Sequence, residues 1–84
     1  MTKMLPKQKR RGERDETARR IYAYIQVYLD DNHHAPSMRD IAEGCYMSRS
    51  GILRYLDLLE AWGWITREPG IPRSISITNT QRRL

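Results

Sequence analysis

The stretch "SRSGILRYLDLLEAWGWI", Ser48 to Ile65, decides how the rest of the chain is read. Ile52, Leu56 and Leu59 recur at i, i+4 and i+7, the spacing that lines one face of an α-helix, and Tyr55 borders that face. Ser48 is a good N-cap, and Gly63 supplies a left-handed stop. A helix destined only for a core would open on stronger helix formers than two serines, an arginine and a glycine. At about 100° per residue, Ser50 and Arg54 lie nearly opposite the buried row, flanked by Arg49 and Leu53. Asp57 and Ala61 continue the same stripe a turn or more further on. The opening of this helix reads either as a face that meets something outside the chain or as a solvated, well-capped helix start.

Working back from Ser48, "SMRDIAEG" carries a capping-box pattern in Ser37 and Asp40, with aspartate in place of the usual glutamate. Met38, Ile41 and Ala42 share one face and Gly44 lies where this helix is expected to stop, about two turns on. Pro36 breaks the chain ahead of it. Further upstream, Ala18, Ile21, Tyr22, Ile25, Tyr28 and Leu29 fall in one helical stripe, which predicts an amphipathic helix over Glu16 to Asp31. Downstream of Gly63 the period changes from 3.6 to 2. Ile75 and Ile77 alternate with Ser74, Ser76 and Thr78, as in a strand with one buried face. Pro69 and Gly70 take the two inner positions favoured in a type II turn, so a hairpin is expected here.

The 84 residues carry a formal net charge of +5, and its location says more than its size. Residues 1–14 hold Lys3, Lys7, Lys9, Arg10, Arg11 and Arg14 against Glu13, a net of +5. Residues 15–78 form the predicted domain, residues 79–84 a frayed basic tail, and together these segments are formally neutral. The N-terminal segment is too polar to fund its own ordering and is expected to be a disordered basic arm. Such an arm is either a solubilising tail or a segment that tracks an acidic polymer.

Two helices joined by a tight turn, the second opening on small polar residues and arginine, are the layout of a helix-turn-helix. The run from Ser37 to Ile65 resembles the winged helix-turn-helix domain of bacterial transcription regulators, similar both to the LexA repressor's N-terminal domain and to GntR-type regulators. The resemblance rests on "PSMRDIA" at Pro36 to Ala42, "SRS" at Ser48 to Ser50, the "LDLLEAWGWI" ending at Leu56 to Ile65 and the closing "PRSISIT". It implies a mainly α fold, a three-helix bundle with a β-hairpin wing. It also implies that Ala42 sits where two helices cross, and that Cys45 and Met47 fill apolar positions around the turn. Tyr46 departs from the pattern, since the family usually has a permissive residue such as glycine there; Gly44 offers another place for the kink.

In that setting the helix from Ser48 to Trp62 would lie in the major groove of double-stranded DNA, with Ser50 and Arg54 reading base edges and Leu53 meeting a thymine methyl. Ser37, Arg39, Ser48, Arg49, Arg67 and Arg73 would hold phosphates, and the arm would add sequence-independent affinity. The residues also permit two other uses of the fold: a protein-interaction module, and an architectural or recombination-directionality factor.

Other chemistries find little support. A single cysteine, Cys45, allows no internal disulfide and reads as a core thiol. His33 and His34 are adjacent loop residues without a partner at ligand spacing, so no metal or cofactor is expected. No catalytic arrangement is visible, and no protease module like that of full-length LexA is encoded in these residues. No small-molecule ligand is expected, no membrane span is present, and a cytoplasmic, nucleoid-associated protein fits the composition. Trp62 stands where regulators of this type usually carry a polar residue. It reads either as a contact with a second copy or partner, or as an indole packed over the first helix or the wing.

Overall fold

The structure is a computed structural model that describes residues 4–78, with side chains from Arg14 onward. Three helices, α1 (Met4–Asn32), α2 (Met38–Cys45) and α3 (Arg49–Ala61), precede two short strands, β1 (Ile65–Thr66) and β2 (Ser76–Ile77). The strands pair antiparallel, with Ile65 opposite Ile77 and Thr66 opposite Ser76. All three helices pack on one another and the hairpin closes over the end of α3. Three helices and a two-stranded wing are the predicted architecture.

The apolar stripes meet in one core. Ala18, Ile21, Tyr22 and Ile25 come from α1, Ile41 and Ala42 from α2, Ile52, Leu56 and Leu59 from α3, and Ile65 and Ile75 from the wing. Cys45 and Met47 are half-buried and pack against it. Burial raises the Cys45 thiol pKa, which suits a packing role. Trp64 makes an edge-on contact with Tyr22, with ring centroids 5.1 Å apart, and Trp62 lies against Trp64 at 4.9 Å.

α1 starts twelve residues ahead of the boundary that apolar periodicity predicts at Glu16. The segment from Met4 is rich in good helix formers, and Pro6 falls in the first turn, where its missing N–H costs no hydrogen bond. Periodicity marks where a helix is buried, not where it begins. The tail at 79–84 and the side chains of Lys7, Lys9, Arg10 and Arg11 lie outside the described residues.

Helix ends depart from the sequence reading in an instructive way. α3 closes as expected at Gly63 (φ 81°), with Gly63 N–H donating to Glu60 O and Trp64 N–H to Leu59 O, both at 3.0 Å. α2 closes with the same hydrogen-bond pattern one helix earlier, Tyr46 N–H to Glu43 O at 3.4 Å and Met47 N–H to Ala42 O at 2.9 Å. Here the left-handed residue is Tyr46 (φ 57°, ψ 48°), not Gly44, which stays helical. His33 (φ 60°) ends α1 likewise. Because Tyr46 is 93% exposed, its ring returns little packing for the strained backbone. Tyr46→Gly is expected to stabilise the fold by about 1 kcal/mol, read by chemical denaturation. An unchanged or lower midpoint would show that the backbone conformation carries no such cost.

At the wing tip Ile71 N–H donates to Glu68 O at 3.1 Å and Gly70 has φ 78°, the geometry expected of a type II turn around Pro69 and Gly70. Below the tip, Ser74 Oγ accepts from Glu68 N–H at 2.9 Å and donates back to Glu68 O at 3.2 Å. The serine thus continues, with its side chain, a backbone ladder only two residue pairs long.

Candidate nucleic-acid interface

Ser50, Leu53 and Arg54 are all exposed on α3, Ser50 and Arg54 opposite the buried Ile52, Leu56 and Leu59 and Leu53 on the flank. Ser48 caps the helix by accepting from Gly51 N–H at 3.1 Å, and its hydroxyl lies 3.5 Å from that of Ser50. A capping hydroxyl still has a proton to donate, so the cap and an anion contact are compatible. Arg49 and Arg54 have no acidic partner among the described residues, which leaves two guanidiniums free on the opening of α3.

A cleft of about 350 Å³ runs between the wing and the openings of α2 and α3. Ser37, Arg39, Arg49, Arg67 and Arg73 all line it, so the fold gathers five of the six residues that the sequence assigns to phosphates. Their charges are not equally available. Arg39 makes an exposed i,i+4 pair with Glu43 at 3.4 Å, a contact that costs little to give up. Arg67 bridges Asp57 and Glu60, the latter at 3.2 Å from Nε. Arg73, held in the left-handed region at φ 56°, donates to Ala35 O and pairs with Asp40, each at 3.1 Å, and reaches Tyr28 Oη at 3.3 Å. Phosphate contact from Arg67 or Arg73 requires leaving these internal partners. That pairing was invisible to the sequence reading because Arg73 and Tyr28 are 45 residues apart.

Asp40 is the hub that ties the wing to the bundle. Its carboxylate accepts from Ser37 N–H at 2.9 Å while Ser37 Oγ accepts from Asp40 N–H at 3.1 Å, the reciprocal capping box that the sequence predicts. Tyr28 hydroxyl donates to the same carboxylate at 3.1 Å, and Tyr24 hydroxyl to the Asp40 carbonyl at 3.1 Å. The Ser37 backbone N–H foremost, helped by Tyr28 and the Arg73 charge, holds the Asp40 carboxyl below the usual aspartate range. A folded-state pKa below the unfolded one contributes stability that is complete above the unfolded pKa of about 4 and is lost as pH falls through the folded value. Asp40→Asn is therefore expected to lower stability at neutral pH and to shrink the loss on acidification below about pH 4. Parallel denaturation midpoints for the two proteins across that range would sink this assignment.

Arg14, at the base of the basic segment, borders Arg54, Tyr55, Asp57 and Leu58 of α3, so the arm leaves the bundle beside the exposed face of α3. Trp62 is half-buried, packed against Trp64 and the core cluster. Among the described residues no group of three or more metal-ligating side chains gathers around His33 and His34, and no helix is long and apolar enough to cross a membrane.

Residues 15–74 match the LexA DNA binding domain. The chain belongs to that family. It is 38% identical over 66 residues to a LexA repressor of Herpetosiphon aurantiacus, covering 77% of this chain and 31% of that protein. It is 33% identical over 67 residues to the LexA repressor of Thermotoga maritima, covering 80% and 34%. For the LexA repressor of Moorella thermoacetica the identity is 40% over 58 residues, covering 68% and 28%. The chain spans about a third of the length of these curated relatives. The family match and the geometry meet on the same elements, since α2, α3 and most of the wing fall within the matched residues. A LexA-type DNA-binding domain is thus the framework for every residue described above.

Proposed function

We propose that this LexA-type domain recognises a specific duplex sequence as a transcription regulator, with α3 in the major groove. Ser50 and Arg54 read base edges, and Leu53, 41% exposed, meets a thymine methyl. Ser37, Arg39 and Arg49 hold phosphates along the cleft and Ser48 holds one at the cap of α3, with the wing against the same backbone. The arm, through Lys7, Lys9, Arg10, Arg11 and Arg14, adds affinity without sequence preference. A second copy docks at the open face of Trp62, which would match a two-fold operator.

The observation that carries this reading is the pair of guanidiniums, Arg49 and Arg54, that have no acidic partner among the described residues and stand at the exposed opening of a helix whose opposite face is fully buried. The test is fluorescence anisotropy of the wild type and of Ser50→Ala with Arg54→Ala on selected and random duplexes, across a salt series. Tight, selective binding that the double variant loses supports the reading. Binding that is absent, or indifferent to both substitutions, removes α3 as the reader.

A further inference from the structure

We infer that Arg67 serves DNA binding as a positioning residue: it neutralises Asp57 on the presented side of α3 and Glu60 on the adjoining flank, rather than holding a phosphate. This inference rests on the placement of α3 against DNA proposed above. Asp57 lies seven residues beyond Ser50 and three beyond Arg54, so it continues the reading stripe about 4–5 Å further along the axis. A bare carboxylate there stands within a Debye length of the phosphates that flank the Arg54 contact, where salt screens little of the repulsion. Glu60, one turn on, adds a second negative charge.

Arg67 follows β1 directly, and the hairpin delivers it across both acids. Its planar fork suits this, because Nε meets Glu60 at 3.2 Å while a terminal nitrogen meets Asp57, a span that a lysine ammonium cannot copy. Exposure separates the roles: the Arg67 side chain is only 20% exposed, whereas that of Asp57 is 64% exposed. The acid is the more open to solvent, and the guanidinium is held between it and Glu60.

The test is a charge cycle on the full chain, read by anisotropy on the selected duplex with folding checked by circular dichroism. Arg67→Gln leaves two uncompensated carboxylates and is expected to weaken binding about five-fold near 0.1 M salt. Adding Asp57→Asn and Glu60→Gln to it removes the repulsion and is expected to restore affinity to within about two-fold of wild type, with the wild-type salt slope. If Arg67 instead held a phosphate, the triple variant would stay as weak as Arg67→Gln and its salt slope would fall by about one, which overturns the inference. Should Arg67→Gln alone fail to fold, the triple variant compared with wild type still decides, since it carries no unpaired charge. Failure of the wild type to select any duplex would instead strike the proposed function, which keeps the two failures distinct.

Discussion

Gly44→Ala is expected to destabilise the domain by about 2 kcal/mol, although the same change in an ordinary helix would stabilise it by up to about 1 kcal/mol. The sign reverses because of what lies opposite. Gly44 sits in the last turn of α2, and a Cβ there would run into the ring and hydroxyl of Tyr24 on α1. Tyr24 is not free to swing away without loss. Its hydroxyl donates to the Asp40 carbonyl at 3.1 Å, and its ring leans on Tyr28 with centroids 6.1 Å apart. Displacing it therefore disturbs the hub that also binds Ser37, Tyr28 and Arg73. Thermal unfolding should show a drop of roughly 10 °C, given that about 1 kcal/mol moves a domain of this size by roughly 4–8 °C. Tyr24→Leu in the Gly44→Ala background leaves room for the methyl, so the two changes together should cost less than their sum. A Gly44→Ala protein more stable than wild type would mean that helix propensity wins and that the α1–α2 contact is loose.

That glycine also shows where sequence reasoning reaches its limit. Local signals were legible: the Ser37–Asp40 capping box, the Ser48 cap, the Gly63 stop and the Pro69–Gly70 turn each involve residues within a few positions of one another, and each is present in the structure. The apolar stripes were legible too, because a core must be built from every third or fourth residue of a helix. A composition rule, glycine for the kink, favours Gly44 over Tyr46. The fold uses them the other way round, since clearance for Tyr24 outweighs backbone freedom at that point. The candidate site residues divide along the same line. The exposure of Ser50, Leu53 and Arg54 follows from helical rotation alone, whereas the internal commitments of Arg67 and Arg73 depend on where the wing lands, which no short-range pattern encodes.

The largest functional effect expected is on sequence preference: Ser50→Ala with Arg54→Ala should cut affinity for a selected duplex on the order of 100-fold, while binding to random DNA falls only a few-fold. Neither side chain supports the core, for both lie opposite Ile52, Leu56 and Leu59, and the cap on α3 belongs to Ser48, which accepts from Gly51 N–H. Folding should therefore be unchanged to within about 0.5 kcal/mol. Each base-edge contact is worth about 1–3 kcal/mol of discrimination, so losing two gives the stated factor, whereas the arm and the residues proposed to hold phosphates remain to sustain non-specific binding. The salt series separates the parts. Arg54 on a base edge, rather than on a phosphate, leaves the slope close to that of wild type; a slope reduced by about one with preference intact would reassign Arg54 to the backbone. Leu53 completes the pattern, since Leu53→Ala should weaken only those sites that place a thymine methyl against it, and a uniform loss across sequences would show that the leucine steadies α3 instead of reading DNA.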